Sequence, residues 1–207
     1  VNFSGSAMGL VDESRNCEAI LQAWYPGQAG GTAIADVLLG RYNPAGRLPV
    51  TFYRDIKQLP DFQDYSMRGR TYRYFRGNPL YDFGFGLSYT TFEYSDIKLS
   101  ADSIKDTDTV TVSFKIKNTG SVDGAEVAQV YVGYNDKSVI QPVKQLKGYD
   151  KKNIAKGATH HFAIELPYSE LKYYDIISHN FIDASKDITI YVGASAEAIY
   201  LNGEANR

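Results

Sequence analysis

The sequence has one cysteine, one tryptophan and two methionines, and no surplus of charge, since 22 Lys and Arg against 24 Asp and Glu leave a formal charge of -2. A lone Cys17 excludes an internal disulfide and offers no thiolate pair to a metal. The near-neutral balance provides no polyanion-binding surface, so nucleic acid is not an expected partner. No hydrophobic run approaches the length of a membrane-crossing helix, and a membrane is not expected either. The first residues lack the basic-then-apolar order of an export signal. Internal repeats and low-complexity tracts are also missing.

What is plentiful is aromatic. The 207 residues contain 17 Tyr and 10 Phe. Tyrosine combines a large apolar body with a polar tip, which suits half-buried strands, domain seams and carbohydrate-facing surfaces alike. The length suits two domains, each able to bury an ordinary core.

Residues 1–6, Val-Asn-Phe-Ser-Gly-Ser, read as the end of a strand running into a turn, so the chain is expected to begin inside a larger domain. Residues 19–25 form a nearly continuous apolar run closed by Pro26-Gly27, the pattern of a parallel strand buried on both faces. After Gly30-Gly31, Thr32 is placed to cap a helix to about Leu39, with Ile34, Val37 and Leu38 on one face and Gly40 as the stop. Asn43-Pro44-Ala45-Gly46 then turns the chain into a short edge strand over residues 48–52. Strand, helix, strand is the closing unit of an α/β layer, assigned here to residues 1–52.

Periodicity vanishes over residues 53–88, where Arg, Tyr and Gly accumulate, and this stretch reads as an extended, aromatic-anchored connector. From residue 89 to 207 the pattern becomes alternation with regular turns. Strands are expected over 92–99, 110–116, 127–132, 145–149, 160–166, 169–174 and 188–192. About seven short antiparallel strands in about a hundred residues point to an immunoglobulin- or fibronectin-III-like all-β sandwich.

Gly27-Gln28-Ala29-Gly30-Gly31 precedes a helix but matches no phosphate-binding fingerprint, and reads as a tight turn. Asp61, Asp64, Asp82 and Glu93 have no neighbour that marks two of them as a catalytic pair. His160 and His161 are adjacent on an expected strand and point to opposite faces, so they cannot share a metal; His179 is isolated. Cys17 reads as a small buried apolar residue, and the sequon Asn2-Phe3-Ser4 lies at the chain start. Arg70, Tyr72, Arg73 and Tyr74 stand out. Alternating Arg and Tyr can stack on sugar rings or pair with carboxylates, and domain interfaces enrich the same residues, so the four are candidates for a domain seam or for substrate proximity.

Several segments together carry a resemblance. Ala23-Trp24-Tyr25-Pro26-Gly27-Gln28-Ala29-Gly30-Gly31, Ala35-Asp36-Val37-Leu38 and Asn43-Pro44-Ala45-Gly46-Arg47-Leu48-Pro49-Val50-Thr51-Phe52 resemble the C-terminal α/β-sandwich domain of glycoside hydrolase family 3. Tyr65-Ser66-Met67-Arg68-Gly69-Arg70-Thr71-Tyr72-Arg73-Tyr74-Phe75 and Phe83-Gly84-Phe85-Gly86-Leu87-Ser88-Tyr89-Thr90-Thr91-Phe92 are similar to the connector that follows it in β-glucosidases and β-xylosidases. Asn118-Thr119-Gly120, Asp123-Gly124-Ala125-Glu126-Val127, Gln145-Leu146-Lys147-Gly148-Tyr149 and Tyr191-Val192-Gly193-Ala194-Ser195 resemble the closing fibronectin-III-like domain. Where the family often has Trp and a Pro-Gly or Ala-Gly turn, this chain reads Asn180-Phe181-Ile182-Asp183-Ala184-Ser185.

The resemblance implies a retaining enzyme that hydrolyses terminal β-glycosidic bonds with two carboxyl groups. It places the nucleophile in an N-terminal barrel and the acid/base upstream of Trp24-Tyr25-Pro26-Gly27, so it assigns no catalytic residue, metal or cofactor to this chain. The implied partners are a β-glycoside substrate and the barrel domain, and the implied location is periplasmic or extracellular. The alternative function is a non-catalytic carbohydrate-binding or adhesion module, whose exposed sandwich aromatics would form the binding platform.

Overall fold

A computed structural model describes residues 1–101, 103, 109–135, 141–183 and 187–205. The first part contains helices α1 (Val11–Asn16) and α2 (Gly30–Leu38), and a single parallel bridge between Asn2 and Gln22. Asn2 N–H donates to the Leu21 carbonyl at 2.8 Å, and Ala23 N–H returns to the Asn2 carbonyl at 2.9 Å. The strand expected over residues 19–25 is therefore present as one bridge, with residues 20–24 half-buried instead of enclosed on both faces. Among the described residues Asn2 is its one strand partner, and a parallel strand needs pairing and cover on both sides to extend.

Helix α2 starts two residues before the expected cap, with Ala29 at the N-cap position and no side-chain cap. Proline 26 replaces that signal: its ring lies against Gly30, where an added Cβ would come within 2.5 Å of Pro26 Cβ. The expected stop is present, since Gly40 takes φ +70 and donates to the Val37 carbonyl at 3.0 Å. Residues 48–52 form no strand of an α/β sheet. They pair with the connector, through an antiparallel bridge from Phe52 to Tyr81 and hydrogen bonds from Leu48 N–H to Phe85 and from Gly84 N–H to Leu48. The connector also holds a 3-10 turn (Ile56–Gln58) and the one-turn helix α3 (Thr71–Tyr74).

Among the described residues nine strands follow: β1 (Phe92–Leu99), β2 (Thr109–Asn118), β3 (Gly124–Tyr134), β4 (Gln145–Ile154), β5 (Thr159–Pro167), β6 (Tyr173–Asp175), β7 (Asn180–Ile182), β8 (Ile188–Gly193) and β9 (Ile199–Ala205). Seven of them make two sheets, ordered β1-β2-β5 and β4-β3-β8-β9, while β6 and β7 form a small hairpin. Every named pairing is antiparallel. The alternation read from sequence is the packing: Val110, Val112, Phe114 and Ile116 of β2 face Val130 and Val132 of β3 and Ile188, Ile190 and Val192 of β8 in one core. Phe114 and Phe162 stack across the β2–β5 pair at 5.3 Å. Each such fully buried side chain contributes roughly 1.5–3 kcal/mol relative to exposure.

The strand expected over 169–174 is instead a 3-10 turn (Tyr168–Leu171) followed by β6. Tyr168 and Leu171, three apart, both enter the core, which is the 3-10 spacing and not the strand spacing. Strand β7 occupies part of the expected turn at 180–185, whose residues 184 and 185 lie outside the described residues. Strand β9 lies beyond the last strand expected from the sequence pattern. The Asn118-Thr119-Gly120 turn is fixed by a fully buried Asn118, whose amide donates to the Val122 and Ile154 carbonyls at 2.9 Å each and accepts from Thr90 Oγ at 2.6 Å.

Candidate functional site

The residues with most unexplained chemistry line the contact between the sandwich and what precedes it. Strand β3 is apolar on its core face, but Gln129 and Tyr131 turn outward and remain buried there. Tyr131 Oη donates to Gln129 Oε1 at 2.6 Å, and the Gln129 amide donates to the Gly84 carbonyl at 3.2 Å and to the Ala194 carbonyl. Gly84 sits at φ +83, and a Cβ there would fall 2.2 Å from Gln129 Oε1, so both the backbone conformation and the close approach require glycine. Asp82 accepts from Glu197 N–H at 2.8 Å, and Ala196 N–H donates to the Phe83 carbonyl at 2.9 Å.

Tyr72 belongs to this layer. Its ring stacks on Phe83 at 4.2 Å and meets Tyr131 edge-on at 5.9 Å, and its hydroxyl accepts from Leu146 N–H of β4 at 3.0 Å. The Arg73 carbonyl accepts from Val143 N–H at 2.6 Å, and its guanidinium lies 5.9 Å from the Tyr72 ring centre with the residue exposed. Arg70 bonds within the connector, donating to the Asp61 and Asp64 carbonyls at 3.1 and 2.8 Å. Tyr74 is half-buried, and its N–H bonds to the Arg70 carbonyl at 3.3 Å. Within the chain, then, Tyr72 and Arg73 touch the sandwich, whereas Arg70 organises the connector itself.

The strongest electrostatic feature escaped sequence reading. Arg47 and Glu126, with side chains 9% and 3% exposed, form an ion pair at 2.8 Å, and Tyr94 Oη donates to the other Glu126 oxygen at 2.7 Å. Burial holds the Glu126 carboxyl above its ordinary range, opposed by the Arg47 charge and by hydrogen bonds from Tyr94 and Arg47. Burial, then the Glu126 charge, pushes the Tyr94 hydroxyl upward. Asn43 adds a third tie: its amide donates to the Asp123 carbonyl at 2.9 Å, and its oxygen accepts from Ser88 Oγ at 3.0 Å and Tyr89 N–H at 2.8 Å. A sequence signal did exist, because Glu126 and Gln129 are polar residues inside an otherwise apolar strand.

The other candidates are scattered. Asp61 and Asp64 cap tight turns by accepting from Gln63 and Ser66 N–H, and hydrogen bonds from Ser66 hold the Asp64 carboxyl below the usual carboxylate range. Glu93 is exposed on β1. His160 and His161 pair with Ile116 and Lys115 along β5, and among the described residues no three ligating side chains group as for a metal. Cys17, expected to be buried, is instead exposed at an open apolar cavity of about 520 Å³, which Leu21, Trp24, Val37, Phe52 and Tyr81 also line.

Comparison with known proteins divides the chain along the same line. Residues 1–89 match the glycosyl hydrolase family 3 C-terminal domain, and residues 126–196 match the fibronectin type III-like domain. The chain is 48% identical over 175 residues to a xylan 1,4-beta-xylosidase of Xylanibacter ruminicola, covering 84% of this chain and 20% of that protein. It is 40% identical over 187 residues to a periplasmic beta-glucosidase of Salmonella typhimurium, covering 84% and 24%. Beta-glucosidase 3B of Thermotoga neapolitana, solved with glucose, superposes with a TM-score of 0.86 at 32% identity over 98% of this chain and 30% of that one. The chain thus spans under a third of the length of each of these three proteins.

Proposed function

The chain belongs to glycosyl hydrolase family 3, and from that premise we propose that it is the carboxyl-terminal, non-catalytic portion of a retaining β-glycosidase. The whole enzyme would release terminal β-linked glucose or xylose, as the names of the similar proteins suggest, by double displacement through a glycosyl-enzyme intermediate. The likeness to a periplasmic relative supports an exported enzyme. In this reading residues 1–52 complete an α/β layer, residues 53–88 connect, and residues 89–207 form the sandwich. The apolar cavity beside Trp24 and Phe52 is the face on which the remainder of the α/β layer packs.

The observation that carries the reading is the seam. An adhesion or carbohydrate-binding module wants an independently tethered sandwich that offers its aromatics to solvent. Here Tyr72, Phe83 and Tyr131 are spent on an internal contact, and Arg47–Glu126, Asn43 and Gln129 lock the two parts together. Of the four Arg/Tyr candidates, Tyr72 and the Arg73 backbone serve the seam, Arg70 and Tyr74 bond within the connector, and the exposed Arg73 side chain is the one able to reach toward a sugar.

The test uses the full-length enzyme with aryl β-D-glucoside and aryl β-D-xyloside, following the first-formed sugar by proton NMR. Release of the β anomer is expected, and release of the α anomer overturns the retaining assignment. The 207-residue chain alone should give no turnover, and activity that survives rigorous purification overturns the non-catalytic assignment.

A further inference from the structure

The connector carries a second set of aromatics that the seam does not use. Between Arg54 and Thr71 the chain folds as a succession of tight turns. Asp55, Asp61 and Asp64 each accept, through a carboxylate oxygen, from the backbone N–H two residues on, at 2.9, 2.8 and 2.8 Å. Arg54 N–H bonds to Gln58 Oε1 at 2.7 Å, and the Gln58 amide reaches the Asn78 carbonyl at 3.1 Å. The Arg70 guanidinium gathers the Asp61 and Asp64 carbonyls, and Tyr53 Oη closes the base of the loop on Thr71 N–H at 2.7 Å. Polar groups are therefore turned inward to hold the loop's shape.

The apolar side chains point the other way. Phe62 and Tyr65 are each 90% exposed and Ile56 is 82% exposed, more than almost any comparable residue of the sandwich. Hydrophobic side chains displayed on a loop with a fixed shape are what a docking element needs, because the ordering cost is met before the partner arrives. Aromatic anchors are also the residues that dominate interface energy. A mobile surface loop would have no use for three capped turns and a side-chain clamp across them.

We infer that residues 55–70 form a preformed docking element, with Phe62 and Tyr65 as its anchors and Arg70 as its clamp, whose occupant is the part of the same polypeptide lying upstream of residue 1. The inference rests on the β-glycosidase reading for the existence of that upstream part, and two observations select it over other occupants. The similar proteins are more than three times the length of this chain, so most of each lies beyond what is aligned here. The loop is also continuous with the open apolar cavity: it leaves the chain three residues after Phe52 and returns ahead of Tyr81, and both line that cavity and are bridged to each other. The exposed hairpin of β6 and β7, with Ile176, Ile177 and Phe181, has no such continuity and is not included.

Hydroxyl-radical footprinting of the full-length enzyme tests this directly, with exposed sandwich residues as internal controls. Tyr149 and Phe181 are 68% and 61% exposed, so accessibility within this chain alone makes Phe62 and Tyr65 the faster pair to oxidise. Docking predicts the reverse order, with Phe62 and Tyr65 modified about tenfold more slowly than the controls, as for side chains enclosed in an interface core. Equal or faster modification of Phe62 and Tyr65 overturns the inference. Protection that disappears on dilution assigns the surface to a second copy and overturns it equally. Arg70→Ala should raise modification of Phe62 and Tyr65 toward the control rates while that of Phe181 stays unchanged. Aryl-glycoside turnover of the same preparation is read separately, so a protected loop on an inactive protein refutes the glycosidase reading and leaves the docking intact.

Discussion

Replacing Arg47 by Met removes one charge from a pair that is almost sealed from solvent. The methionine keeps much of the stem volume, so the loss is chiefly electrostatic. Glu126 keeps the hydrogen bond from Tyr94 but loses its counter-charge, and an unpaired buried charge of this kind costs about 3–5 kcal/mol. For a chain of this length each kcal/mol lowers Tm by roughly 2–4 °C, so a fall of roughly 6–20 °C is expected at neutral pH. The pH dependence has a definite sign. Burial already raises the Glu126 carboxyl above its value of 4.5, and loss of the opposing Arg47 charge raises it further. The folded variant therefore holds a proton that the unfolded chain releases, and its stability falls as pH rises from that ordinary value through the raised one. The deficit relative to the parent sequence should accordingly be large at about pH 7 and shrink toward about pH 4, where Glu126 is neutral in both states. Urea unfolding followed by tyrosine fluorescence at both pH values measures it. A deficit below about 1 kcal/mol at neutral pH, or one that grows in acid, would refute the reasoning. The triple change Arg47→Met, Glu126→Leu and Tyr94→Phe should recover most of the loss, since an apolar replacement of a whole buried cluster is often neutral.

Tyr72→Phe should cost about 1 kcal/mol by leaving Leu146 N–H without its acceptor, while Tyr72→Ala should cost about 3–5 kcal/mol by emptying the stack between Phe83 and Tyr131; equal effects of the two would mean that the ring contributes nothing. In hydrogen exchange of the 207-residue chain, amides in residues 1–52 should exchange far faster than those of β2 and β3, because Leu10, Ala45 and Phe52 are the buried apolar residues of that stretch whereas β2 and β3 place buried residues along their whole length. Strong protection spread evenly over both regions would show that the α/β part is stable by itself.

The sandwich was legible because its strands obey one rule over many residues. In β2 the side chains at 110, 112, 114 and 116 have no choice of face, and the pairing with β5 follows without a shift. Strand β9 obeys the same rule, with 199, 201, 203 and 205 facing in, but the inward positions include Gly203 and Ala205, too small to register as an apolar stripe. Residues 19–25 look like a strand to any local reading, yet a strand exists only where neighbours supply hydrogen bonds, and one bridge to Asn2 is all that the described residues provide. The seam was half legible. The aromatic richness around Tyr72 marked it, but Arg47 and Glu126 are 79 positions apart, and no local pattern couples them.

From Ala128 to Gly133 strand β3 has no outside. One of its faces lies in the sandwich core, and the other, through Gln129 and Tyr131, lies under Tyr72 and Gly84. Fibronectin-like modules are commonly treated as beads that can be restrung between hosts, and this one would not transplant that way. A chimera cut at the first strand would export a bare Gln129 amide, an orphaned Glu126 and an uncovered Tyr131 ring, and would be expected to aggregate or stick to its new neighbours. The smallest portable unit runs from Arg47, so that the graft brings its own lining with it.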